Sequence, residues 1–152
     1  MPESKNPAGG SEFNPARRKA RRRALDVLFE ADIRDERIPD ILAARKEISL
    51  RQPETPKFSD YAESLAEGVY ERLEEIDELI STYAEGWTID RMPAVDRNLL
   101  RIGIYELMWG EDIDAPVAIS EAVELAKELS TDDSPRFING ILGRISDYSG
   151  RW

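Results

Sequence analysis

The stretch Val95–Trp109, VDRNLLRIGIYELMW, decides the fold. Its apolar residues recur at helical spacing but spread over more than one face of the helix. A surface helix carries a single apolar stripe, so this pattern predicts a buried central helix with neighbours on several sides. The segments on either side must supply those neighbours. Upstream, GWTIDRMP (Gly86–Pro93) is a break; downstream, Asp114-Ala115-Pro116 opens a further helix. That helix has Ile119, Ala122, Val123, Ala126 and Leu129 as its stripe. Ser134-Pro135 opens the last helix, with Phe137, Ile138, Ile141, Leu142 and Ile145 as its apolar positions.

Working toward the N-terminus, Leu65, Val69, Leu73, Ile76, Leu79, Ile80 and Tyr83 keep helical spacing after a cap at Ser59, as one helix or two. Gly68 in that stretch allows another helix to come close. LRQPETPK (Leu50–Lys57) carries two prolines and reads as a loop. Before it, a helix over Pro39–Ile48 turns Ile41, Leu42 and Ile48 inward. Asn14-Pro15 reads as N-cap and first helical residue of a helix whose apolar positions are Ala20, Ala24, Val27, Leu28 and Ala31. Residues 1–14 read as a disordered tail, being rich in Pro, Gly, Ser and Asn without apolar periodicity. No strand alternation appears. The expected class is all-α: about seven helices in two packed helical subdomains, spanning about 15–85 and 86–150.

A chain of 152 residues with 41% hydrophobic and 34% charged residues has material for one core and a strongly solvated exterior. It contains neither cysteine nor histidine, which excludes disulfides, cysteine nucleophiles and Cys/His zinc sites. No long apolar run or signal pattern occurs, so the expectation is a cytoplasmic protein with no membrane partner. No phosphate loop, nucleophile elbow or dinucleotide fingerprint is present, and the carboxylates, Glu121 and Glu124 among them, are spread as on solvated faces. The expectation is a non-enzyme without cofactor or metal.

Charge is unevenly placed. Residues 1–23 hold seven Lys/Arg against two Glu, whereas residues 24–152 hold fourteen against twenty-nine Asp/Glu. Six basic residues in seven, Arg17, Arg18, Lys19, Arg21, Arg22 and Arg23, crowd the start of the first helix. Cations there oppose the helix dipole, which argues against a bland helix end. Guanidinium groups bind phosphate in a fork and stack on bases, so this cluster points to nucleic acid. It does not distinguish RNA from DNA, and an acidic protein partner stays open. TDDSPRFING (Thr131–Gly140) is a second candidate, because a helix start has free N–H donors. Taken locally, its aspartates read better as caps and Phe137 better as core than as a platform.

The ordered blocks ARRKARRRALDVLFEAD, AVDRNLLRIGIYEL and PVAISEAVELAKELSTDDSPRFINGILGRI resemble the bacterial transcription antitermination factors of the NusB family. The resemblance runs from Arg17 to Ile145. It implies an all-α protein of two bundles, without catalytic activity, that binds boxA single-stranded RNA of ribosomal RNA leaders. The implied partners are NusE, a small-subunit ribosomal protein, and the RNA polymerase elongation complex. Family members occur as monomers and as homodimers, so a homodimer stays open. Carried over by position, Arg17, Arg18, Lys19 and Arg21 match the family's RNA-binding motif, with Arg22 extending it. Asp133, Ser134, Arg136 and Phe137 match its second RNA segment, and Tyr83 a tyrosine near that surface. In that light Phe137 is expected to be a stacking platform, and Asp90 and Asp96 to face NusE. Replacing Arg18 and Arg21 with alanine is expected to weaken RNA binding without disturbing the fold.

Overall fold

A computed structural model describes residues 14–55 and 57–152, so the expected tail, apart from Asn14, lies outside the described residues. Among the described residues seven α-helices follow one another: α1 (Pro15–Arg34), α2 (Ile38–Arg51), α3 (Asp60–Glu71), α4 (Leu73–Tyr83), α5 (Ala94–Trp109), α6 (Ala115–Leu129) and α7 (Ser134–Ser149). A short 3-10 turn, Ile89–Arg91, precedes α5. There is no strand among the described residues.

The helix boundaries follow local chemistry. The Asn14 side chain accepts the Arg17 N–H at 3.1 Å, and Pro15 fills the first turn where no N–H is needed. Ser59 caps α3 through the Ala62 N–H at 3.2 Å. The long apolar stretch is two helices, since Arg72 leaves helical geometry (φ −114°, ψ 19°) between α3 and α4. Two expectations are corrected. α2 continues through Leu50 and Arg51, beyond the loop boundary that the prolines predict, and Ile48 is 47% exposed. The inward line of α2 passes through Ile38, Ile41 and Leu42 to Ser49, one residue beyond Ile48. Leu129 is 39% exposed, because it ends α6 beyond the part of the stripe that faces the core.

The central helix is α5. It packs against α1, α3, α4, α6 and α7. Leu99, Leu100 and Ile104 are fully buried, each contributing roughly 1.5–3 kcal/mol on burial. Helices α1, α2 and α3 contact one another, as do α5, α6 and α7, yet a single continuous apolar core joins all seven. Gly68 makes the expected close approach: a Cβ there would lie 2.2 Å from Cζ of Tyr105 on α5.

Polar groups tie the same helices together. The Asp32 carboxylate on α1 accepts hydrogen bonds from Arg97 (2.5 and 3.0 Å), Asn98 (2.8 Å) and Arg101 (3.4 Å) of α5. Arg101 also forks onto Asp77 of α4, with both bonds at 2.9 Å. Burial alone would raise the Asp32 carboxyl pKa, but the hydrogen bonds from Arg97 and Asn98 and the neighbouring guanidinium charges hold it below its ordinary value.

Candidate nucleic-acid interface

The basic start of α1 lies against α6 and α3, and its residues have diverging environments. Arg18 forks onto Glu121 of α6 at 2.9 and 2.7 Å, a bond that raises its already high pKa. Arg22, further along the helix, reaches Glu128 of α6 at 2.7 Å, with both side chains nearly half exposed. Lys19 is exposed. The Arg17 guanidinium lies 4.4 Å from the Tyr61 ring centroid, and Arg23 lies 4.6 Å from that of Phe58.

Arg21 is different. It is 2% exposed, and its Nε donates to both oxygens of Glu106 on α5 at 2.9 and 3.0 Å. Its Nη1 donates to Glu121 at 3.3 Å, and the Tyr61 hydroxyl donates to Glu106 from the other side. Burial works against the Arg21 charge, but the adjoining Glu106 outweighs it and the pKa is raised. The Tyr61 phenol is pushed up by burial and by the Glu106 charge. The expected phosphate contact at Arg21 is therefore corrected: its donors are used inside the protein, joining α1 to α5 and α6.

The second candidate segment borders a cleft of about 410 Å³ lined by Trp87, Met92, Pro93, Thr131, Asp133 and Phe137, among others. Asp133 and Arg136 are exposed, and Phe137 is half-buried against the core. The Asp133 side chain makes no capping hydrogen bond, contrary to the local reading. Ser134 is 1% exposed and donates to Asp96 at 2.8 Å, while Ser130 donates to the other Asp96 oxygen at 2.5 Å. Two expectations change as a result. Ser134 supports the turn from beneath instead of presenting its hydroxyl outward. Asp96, 3% exposed, fastens the first turn of α5 to the α6–α7 connection and is no surface partner for NusE. Asp90 is exposed on the 3-10 turn.

Tyr83 is not brought into the cleft. Its ring packs 5.7 Å from that of Tyr148, and its carbonyl accepts from Arg144 at 2.8 Å. Tyr148 stands eleven residues after Phe137 on α7, about 16 Å along the helix. Sequence reasoning missed Trp87, which is 54% exposed at the cleft; its signal was a large aromatic in a Gly-Trp-Thr break. It also missed the pairing of Glu121 and Glu128 with the arginines, because both acids resembled a solvated face. Among the described residues no acidic group could hold a metal ion, and no helix is long and apolar enough to cross a membrane.

The two candidate segments are joined by α6: Arg22 meets Glu128, and Glu128 stands two residues before Ser130 in the turn that bears the cleft. Against this geometry, the family model described as NusB family matches residues 18–147. The chain belongs to the NusB family. It is accordingly a transcription antitermination factor and not an enzyme. The transcription antitermination protein NusB of Salinispora arenicola is 62% identical over 137 residues, covering 90% of this chain and 99% of that one. The NusB protein of Thermobifida fusca is 50% identical, covering 91% and 94%. Among solved structures, T. maritima NusB superimposes with a TM-score of 0.75 at 39% identity, over 90% of this chain and 93% of that chain. A structure of antitermination factors NusB and NusE in complex with dsRNA gives a TM-score of 0.75 at 28% identity, over 90% and 99%. The all-α NusB fold expected from the sequence is the fold found.

Proposed function

We propose that this NusB-family protein binds boxA-type single-stranded RNA of ribosomal RNA leaders together with NusE, and that the assembly joins elongating RNA polymerase in the cytoplasm. The observation that carries this reading is the link across α6 between an exposed basic ridge and an aromatic cleft. Lys19 and Arg22, with Arg17 and Arg18 beside them, supply phosphate contacts. Asp133 and Phe137 supply contacts to bases, with Arg136 beside them for an adjoining phosphate, since sequence is read from splayed bases and not from the backbone. The relative solved with NusE and dsRNA supports NusE and RNA as partners. Asp90, exposed before α5, is the residue proposed to face NusE.

The acidic remainder of the chain makes the position of the ridge informative. A polyanion is repelled nearly everywhere else, so binding is steered to α1. The deciding experiment compares boxA RNA with a scrambled RNA of equal length at two salt concentrations. Preference for boxA that survives added salt supports the reading. Equal affinity for the two RNAs, lost together as salt rises, would reduce the ridge to a nonspecific basic arm.

A further inference from the structure

The connection between α4 and α5 holds a feature that the basic ridge does not explain. After α4 the backbone turns through two consecutive residues of positive φ, Glu85 at +47° and Gly86 at +91°. A left-handed conformation is unfavourable for a non-glycine residue and persists only where the surroundings impose it. This turn delivers Trp87 to the rim of the 410 Å³ cleft. The indole is 54% exposed, an unusual position for so large an apolar surface. It meets Phe137 edge-on, with centroids 6.1 Å apart and planes at 72°, so the two rings do not stack on each other.

We infer that Trp87 is a stacking platform for one unpaired RNA base, held in the cleft between the α4–α5 connection and the start of α7. The inference rests on the RNA-binding function proposed above. Three observations choose a base over other occupants. The cleft pairs an open indole with apolar Met92 and Pro93, which suits a flat aromatic group. Arg136, exposed at the same cleft, has no ion-pair partner among the described residues and is placed for the adjoining phosphate. Asp133 and Thr131, also on its border, offer acceptors to exocyclic amino groups. Phe137 then has a double role: it fixes the indole by its edge and closes the inner end of the cleft.

The test uses the full chain and a boxA-type single-stranded RNA, with Trp87→Ala, Trp87→Leu and Trp87→Phe compared by affinity, salt dependence and melting temperature. Loss of one base–aromatic stack, about 1–3 kcal/mol, corresponds to roughly 5- to 150-fold weaker binding for Trp87→Ala. Trp87→Leu should stay weak, and Trp87→Phe should recover most of the affinity. The salt slope should stay at the wild-type value, because no phosphate contact is removed, whereas Arg136→Ala should lower it by about 0.7. The inference is overturned if wild type binds this RNA and Trp87→Ala binds it equally well. It is also overturned if Trp87→Leu matches Trp87→Phe, or if Trp87→Ala weakens only NusE binding, which would make the indole a protein contact. Failure of the wild-type protein to bind the RNA would bring down the proposed function and this inference together.

Discussion

Arg21 and Glu106 face each other across the interior, Nε lying 2.9 and 3.0 Å from the two carboxylate oxygens, with both side chains almost wholly buried. The pair divides the arginine cluster into two groups. Arg21 belongs to the core, where it satisfies the almost fully buried Glu106 carboxylate of α5. Lys19 and Arg22 belong to the surface. Breaking one side of a buried pair leaves the other charge uncompensated, which costs about 3–5 kcal/mol. Arg21→Ala is therefore expected to destabilise the protein by that amount in urea melts. The double substitution Arg21→Met with Glu106→Leu should recover most of the loss. A deficit under about 1 kcal/mol, well below that range, would show that water or another cation reaches Glu106. The same reasoning corrects the expectation that Arg18 and Arg21 can be removed together without disturbing the fold.

The clean probe of phosphate binding is instead Lys19→Ala with Arg22→Ala. The exposed Arg22–Glu128 pair contributes only about 0–1 kcal/mol, so the melting temperature should hardly move. Each lost phosphate contact should lower the salt slope of log K by about 0.7 for single-stranded RNA. An unchanged slope in a folded double variant would place the phosphates elsewhere.

Acid should act through Asp32, whose pKa is held below its ordinary value in the folded protein. A depressed carboxyl adds stability that is complete above the unfolded pKa, about 3.9, and disappears as pH falls through the lower folded value. Asp32→Asn should be less stable than wild type at neutral pH. The gap should narrow as pH drops below about 4, where the unfolded chain takes up the proton first. Parallel stability curves from pH 7 to pH 3 would mean that the charge on Asp32 adds nothing.

Gly68 faces the Tyr105 ring, with room for no Cβ. Gly68→Ala should cost about 1–3 kcal/mol, the usual penalty for overfilling a packed site. Helix propensity acts in the opposite direction, favouring alanine over glycine by up to about 1 kcal/mol, so a stabilised variant in thermal melts would show that Tyr105 swings away freely.

Phe137 borders both the core and the cleft. Being half-buried, its truncation should cost less than the roughly 3–5 kcal/mol of a fully buried phenylalanine. Phe137→Ala should still weaken RNA binding in the folded protein, measured on the sample used for melting. A large drop in melting temperature with normal RNA affinity would assign the ring to the core alone.

Much of this architecture was legible in the chain because helices are local objects. Asn14-Pro15, Ser59 and Ser134-Pro135 mark helix starts through groups within three or four residues of each other. The many-sided apolar pattern of Val95–Trp109 identified the central helix without reference to its neighbours. The candidate site was legible only as a set of residue types. Arg17 to Arg23 read as one basic cluster, yet Arg21 pairs with a carboxylate 85 residues away and Arg18 with one 103 residues away.

Nothing in the spacing distinguishes those arginines from Lys19 or Arg22, because the partners are chosen by how α1 lies on α5 and α6. The same holds for Asp96 and Ser134, 38 residues apart, whose hydrogen bond removes both from the surface, and for Trp87, whose exposure depends on the turn after α4. The sequence by itself determined the helices, the core stripe and the charge asymmetry, since each follows from residues close in the chain. The tertiary structure decided which charged groups are neutralised inside and which remain for a ligand, because the field and desolvation at a side chain are set by whatever packs against it.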